Sequence, residues 1–180
     1  MSKLLVVVDC QHDFIDGALG SNEAQKIIPN VIAAIKETED DGGVVVFTRD
    51  THQENYLETQ EGKNLPVKHC IVNSNGWQIA ENIINASHTL NSYSQHTIFD
   101  KITFGSVELG DYVQRRNFDE VELCGLDSDI CIISNALFIK TLCPEIKITV
   151  DASCTAGTSI EANKAALLVM KSCQIKIINE

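Results

Sequence analysis

Cys131 is the thiol of this chain best placed to act as a nucleophile. It follows Gly125-Leu126-Asp127-Ser128-Asp129-Ile130, a short loop after the apolar run Val121–Cys124, and stands at the start of a helical pattern over residues 130–142. The partial positive charge at a helix start lowers a thiol pKa, and the free amides of a first turn can hold an oxyanion. A cysteine that merely packs beneath the helix is the competing reading. Other apolar runs end in reactive side chains as well. Asp9 follows Lys3–Val8, Asp50-Thr51-His52 follows Val44–Thr48, Asp100-Lys101 follows His96–Phe99, and Asp151-Ala152-Ser153-Cys154 follows Ile146–Val150. A strand-end aspartate also caps turns, and a lone lysine is also a solvated surface charge, so position alone leaves both roles open. Asp50-x-His52, with His69 further along the same segment, offers mixed carboxylate and imidazole donors. Such a set suits zinc, manganese or iron.

The elements that must position these groups are legible as alternating patterns. KLLVVV and VVVFT are continuously apolar, as strands buried on both faces are. Ile27, Ile28, Val31, Ile32 and Ile35 form one face of a helix over residues 23–39, stopped by Gly42-Gly43. Further helices are expected at 78–85, 107–116 and 130–142, the last run ended by Pro144. Another opens on the capping box Thr158-x-x-Glu161 and runs to about Lys171, before a last strand at Ile175–Ile178. Strands alternating with helices predict βαβ units and a parallel sheet, with ligands outside the carboxyl ends of the strands where the strand order reverses. Residues 49–77 show no clear periodicity. Aperiodic segments that long are usually functional.

Composition narrows the function classes. At 180 residues, 44% hydrophobic and 22% charged, the chain is expected to fold as a single domain spanning 1–180. No apolar run approaches the roughly 18 residues of a membrane helix. The opening MSKLLVVVDCQHDF reaches an aspartate at the ninth position, unlike a secretory signal, so a cytoplasmic protein is expected. With 14 Lys+Arg against 25 Asp+Glu the net charge is −11, and the longest basic cluster is Arg115-Arg116. Nucleic acid and membrane surfaces are therefore not the expected partners. The seven cysteines include no CxxC pair, and most are expected to be reduced, buried and inert. GxGxxG, P-loop and GxSxG motifs are absent, so no organic cofactor is expected.

Taken together, these segments resemble the isochorismatase-like cysteine hydrolases, and within them the nicotinamidase/pyrazinamidase activity. The resemblance rests on Val8-Asp9-Cys10-Gln11-His12-Asp13-Phe14 with Gly17-Ala18-Leu19, on Thr48-Arg49-Asp50-Thr51-His52, on Pro66-Val67-Lys68-His69-Cys70 with Gly76-Trp77, on Lys101-Ile102-Thr103-Phe104, and on Gly125 to Cys131. It implies a three-layer αβα, Rossmann-like fold whose six-stranded parallel sheet has the order 3-2-1-4-5-6. It also implies a catalytic triad of Asp9, Lys101 and Cys131, and a cis Leu126–Asp127 bond that turns the amides of Asp127 and Cys131 toward an oxyanion. A divalent metal on Asp50, His52 and His69 is implied too, with Glu58 near the position of a further ligand. The pocket is expected to involve Phe14, Leu65, Trp77 and Phe104, the substrate to be a small amide, and the protein to be a homo-oligomer. Leu65 stands where many nicotinamidases place a tryptophan, and Asp127 stands where a small apolar residue is common. The implied activity is hydrolysis of a small carboxamide to acid and ammonia through a thioester. The alternatives are hydrolysis of a carbamoyl or ureido compound, or a non-catalytic binding domain. Vinyl-ether hydrolysis, the other chemistry of the family, does not use the cysteine.

Overall fold

The computed structural model describes residues 2–88 and 98–180. Six strands, β1 (Lys3–Val8), β2 (Val44–Asp50), β3 (Ile98–Lys101), β4 (Glu120–Gly125), β5 (Lys147–Thr155) and β6 (Lys176–Ile178), form one sheet in the order β3-β2-β1-β4-β5-β6. Every pairing is parallel. His96 and Thr97, expected to begin the third strand, lie outside the described residues.

The sheet is covered on both faces, which explains the unbroken apolar strands. Alternate side chains of β1 enter different cores. Leu5 and Val7 pack with Ile27, Ile28, Val31 and Ile35 of the long helix Asn22–Asp40 and with Ile83 of a short helix at Glu81–Ala86. Leu4, Val6 and Val8 pack on the other face. There they meet Leu109 and Val113 from the helix Val107–Arg116, Ala136 and Ile139 from Ile133–Leu142, and Leu167 and Met170 from Ile160–Ser172. Each such valine, leucine, isoleucine or methionine side chain, once buried, contributes roughly 1.5–3 kcal/mol. Ser21 caps the long helix by accepting from Ala24 N, and Gly42, at φ +76, lets the chain turn back into β2. Among the described residues no helix is long and apolar enough to cross a membrane.

Several boundaries differ from the sequence reading: the helix expected at 78–85 runs Glu81–Ala86, and β2 continues to Asp50. β5 runs on to Thr155, because the register with β4 shifts after Leu123 and Thr155 pairs with Gly125. Asp151-Ala152-Ser153-Cys154 therefore lies inside a strand rather than beyond it. The last helix is capped by Ser159, whose hydroxyl accepts from Ala162 N, and not by Thr158, whose hydroxyl donates to Asp129. The aperiodic segment holds two short pieces of helix: a 3₁₀ turn at Tyr56–Glu58, and Gln60–Asn64, which Thr59 caps.

Candidate active site

β1 and β4 are neighbours in the sheet, and the connections that follow them pack on opposite faces. Asp9 ends β1 in a left-handed conformation, φ +49, which aspartate tolerates better than most residues. Its backbone N–H donates to Thr48 O, and Thr48 Oγ1 donates to Asp9 Oδ1 at 2.7 Å. Gly125 ends β4 directly opposite, in register with Val8. Its φ is +109, and a Cβ there would overlap the Val8 carbonyl oxygen, so only glycine permits this approach. The chain then passes through Leu126–Asp127, a cis peptide bond, into a π-helical turn at Ser128–Ile132 that carries Cys131. Lys101 ends β3, in register with Asp50 at the end of β2.

These placements bring three groups together. Lys101 Nζ lies 2.7 Å from Asp9 Oδ2, 3.1 Å from Asp50 Oδ1 and 3.4 Å from Cys131 Sγ. Asp9, Lys101 and Cys131 are all buried. Asp9 Oδ2 meets Lys101 as an ion pair and receives no well-aligned hydrogen bond, so a lone pair there is free for a proton. Burial alone would lower the lysine pKa, but Asp9, Cys131 and Asp50 together hold it well above its ordinary value, and the ammonium persists. Burial raises Asp9, making it a stronger base than an ordinary carboxylate. The Cys131 thiol is pushed up by burial and by Asp9, against the pull of Lys101. This corrects the expectation of a helix-lowered thiol: loss of hydration outweighs the helix charge, and the resting sulfur is protonated.

Asn135, also buried, ties the nucleophile to the β3 exit. Its amide donates to Cys131 O and Phe104 O, and its carbonyl accepts from Ser106 N. Gln11 grips the β2 exit by bonding both the N–H and C=O of Asp50. Asp13 accepts from Ala18 N and Cys70 N, joining the Gly17-Ala18-Leu19 turn to the segment that bears His69. Sequence reasoning quoted Gln11 and Asp13 only as parts of a motif, and gave Asn135 no role.

Beside Lys101, Asp50, His52, Glu61 and His69 each offer a donor atom within 4.8 Å of the others. Glu58, expected near this position, is exposed on the 3₁₀ turn and is not part of the cluster. The short helix after Thr59 presents Glu61 instead. His52 Nε2 is buried, 2.9 Å from Asp50 Oδ2 and 3.4 Å from Glu61 Oε1, yet makes no well-aligned hydrogen bond. His69 Nδ1 faces Val67 O at 2.8 Å and must donate there, which leaves Nε2 toward the cluster. Burial would lower the His69 pKa, but Asp50 and the Val67 carbonyl raise it overall. Asp50 is held low despite burial by Lys101 and the two histidines. An orphaned imidazole nitrogen among converging carboxylates fits a divalent cation, which would stand in place of the histidine proton.

Of the expected pocket residues, Phe14 packs edge-on against His69, with centroids 5.6 Å apart. Trp77 donates from Nε1 to Thr51 Oγ1, and the Arg49 guanidinium stacks 3.5 Å above its ring. Leu65 and Phe104 are 37% and 43% exposed, at the surface. Tyr56, which sequence reasoning did not single out, packs on both histidines at 4.6 and 4.9 Å.

The comparisons agree with this architecture. The nicotinamidase of Saccharomyces cerevisiae is 24% identical over 173 residues, covering 75% of this chain and 80% of the relative. The pyrazinamidase/nicotinamidase of Streptococcus mutans superposes with a TM-score of 0.87 at 26% identity, covering 98% of this chain and all of the other. The pyrazinamidase of Pyrococcus horikoshii, solved in complex with zinc, gives 0.83 at 27% identity with both chains fully covered. The isochorismatase domain model matches residues 3–179. The chain belongs to the isochorismatase family.

Proposed function

We propose that this chain is a cysteine-dependent amidohydrolase that cleaves a small carboxamide of the nicotinamide type into the acid and ammonia. The observation that carries this reading is Lys101, placed within 2.7 Å of the Asp9 carboxylate and 3.4 Å of the Cys131 sulfur at the sheet's switch point. Cys131 gives its proton to the open lone pair of Asp9 as the sulfur attacks the amide carbonyl. The amides of Asp127 and Cys131 receive the oxyanion. Asp9 then returns the proton to the nitrogen, the C–N bond breaks and ammonia leaves. Water attacks the thioester, its proton passes to Asp9, the C–S bond breaks, and the sulfur regains a proton as the acid departs. Lys101 keeps its charge throughout and offsets the negative charge that moves between oxygen and sulfur. Asp50, His52, Glu61 and His69 would hold a divalent metal, which when bound supplies a Lewis-acidic anchor for a substrate's ring nitrogen.

The test is ammonia release from nicotinamide, benzamide and small ureido compounds. Nicotinamide is expected to be the fastest, with Cys131→Ala inactive. Wild-type release by Cys131→Ala would overturn the mechanism. Faster turnover of ureido compounds would move the assignment to the carbamoyl reading, which the exposure of Leu65 and Phe104 favours by leaving little wall for a flat ring.

A further inference from the structure

The apolar run Val44–Phe47 of β2 is followed by a buried hydroxyl, that of Thr48. A hydroxyl withdrawn from water costs free energy unless it is hydrogen-bonded, whereas a valine of similar shape carries no such cost. The Thr48 hydroxyl is engaged twice, and by one residue. Oγ1 donates to Asp9 Oδ1 at 2.7 Å and accepts from Asp9 N at 3.2 Å. Asp9 N also donates to Thr48 O at 3.3 Å. A hydroxyl has a single proton, and here it is spent on the Asp9 carboxylate.

The proposed reaction depends on which way that carboxylate faces. The outer torsion of an aspartate side chain is broad, so its two oxygens exchange places unless a neighbour distinguishes them. Lys101 does not distinguish them by itself, because an ammonium on a flexible stem is a point charge that pairs with either oxygen. Thr48 does. It stands on β2, the strand beside β1, and its branched side chain is stiff. With Oδ1 held by the hydroxyl, Oδ2 is left 2.7 Å from Lys101 Nζ and without a well-aligned hydrogen bond. The same ammonium lies 3.4 Å from Cys131 Sγ.

We infer that Thr48 is a positioning residue, whose hydroxyl holds Oδ1 of Asp9 so that the open lone pair of Oδ2 is the one that takes the thiol proton and returns it. Thr48 acts only through Asp9. The inference deepens the amidohydrolase reading and rests on it for the reaction that the proton serves.

The test compares two variants of the full chain. Thr48→Val keeps the branched shape and removes the hydroxyl, and Thr48→Ser keeps the hydroxyl. In ammonia release from nicotinamide, Thr48→Val is expected to lower kcat about tenfold or more with KM unchanged, because a small misplacement of a reacting group slows the chemical step. Thr48→Ser is expected to keep most of the parent kcat. In Asp9→Asn, adding Thr48→Val is expected to change the residual kcat by less than about twofold, since the group that it orients is gone. Parent-like kcat in Thr48→Val, equal losses in the two variants, or a full further loss in the Asp9→Asn protein would each overturn the inference. If Thr48→Val does not fold, Thr48→Ala takes its place in the same comparisons. Crystal structures of the variants supply a readout that needs no turnover. The Asp9 carboxylate is expected to rotate when the hydroxyl is removed and to keep its orientation in Thr48→Ser, and an unrotated carboxylate in Thr48→Val overturns the inference. A parent protein that releases no ammonia removes the proposed function, and the orientation of Asp9 then decides the inference alone.

Discussion

The ammonium of Lys101 lies 2.7 Å from Oδ2 of Asp9, and both side chains are almost wholly withdrawn from water. Neither charge would be stable alone at that depth, so each holds the other in its ionised form. Lys101→Met would leave Asp9 as a buried carboxylate without its cation, and Asp50 with the two histidines alone. Loss of one partner from a buried pair costs about 3–5 kcal/mol. Chemical denaturation should show a loss of that size, together with a fall in turnover of about 10²-fold or more.

Asp9→Asn separates the base from the fold. The shape is kept, but turnover should fall about 10²–10⁴-fold. The Asp9 carboxylate also helps to push the Cys131 thiol up, so its removal should lower that pKa while Lys101 stays beside the sulfur. Alkylation of Cys131 by iodoacetamide near neutral pH, followed by mass spectrometry, should therefore be slow in the parent protein and faster in Asp9→Asn. Slower alkylation in the variant would mean that Asp9 activates the thiol at rest.

The metal cluster discriminates between two glutamates. Glu61→Gln should weaken divalent-metal affinity by about tenfold or more, while Glu58→Gln should leave it unchanged. Elemental analysis of protein purified without added metal, followed by titration of zinc or manganese into chelator-treated protein, measures both. Equal losses in the two variants would contradict the placement of Glu61.

Alkaline stability follows from the buried thiols, among them three outside the site. Burial is the main cause that raises Cys10, Cys124 and Cys154, the last from 9.0 to about 12. Their unfolded forms release protons first. The stability held below about pH 9 is therefore lost as pH rises from the unfolded value toward the folded ones. Tm should fall between about pH 8.5 and 10.5, and the fall should be shallower in Cys124→Ala and Cys154→Ala than in the parent, whatever their Tm at neutral pH. Parallel slopes would show that these thiols do not set the alkaline limit.

Gly125→Ala is expected to be among the most damaging single changes. The added Cβ would strike the Val8 carbonyl at a φ of +109, a backbone region that costs other residues about 1–3 kcal/mol before any overlap is counted. A loss of more than about 3 kcal/mol, or failure to fold, is expected. A near-normal denaturation midpoint would mean that β4 can move away from β1.

Much of the architecture was legible in the residues because it depends on local patterns. Strands buried on both faces must be apolar throughout, as Leu4 to Val8 are, and a helix with one buried face must repeat as Ile27, Ile28, Val31 and Ile35 do. The motifs that end β1, β2, β3 and β4, with the segment around His69, carried the family resemblance, and with it Asp9, Lys101, Cys131, Asp50, His52 and His69. Side chains whose position depends on the path of an aperiodic segment were not legible. Glu58 and Glu61 lie close together in the sequence, and the turn at Thr59 decides which one faces His52. The cap at Ser159 and the extension of β5 to Thr155 depend on contacts with Asp129 and Gly125 from distant parts of the chain. The protonation of Cys131 was beyond the sequence for the same reason. A helix start lowers a thiol by a local field, but burial and the Asp9 carboxylate raise it, and only the folded chain determines how much water is lost and which charges stand beside the sulfur.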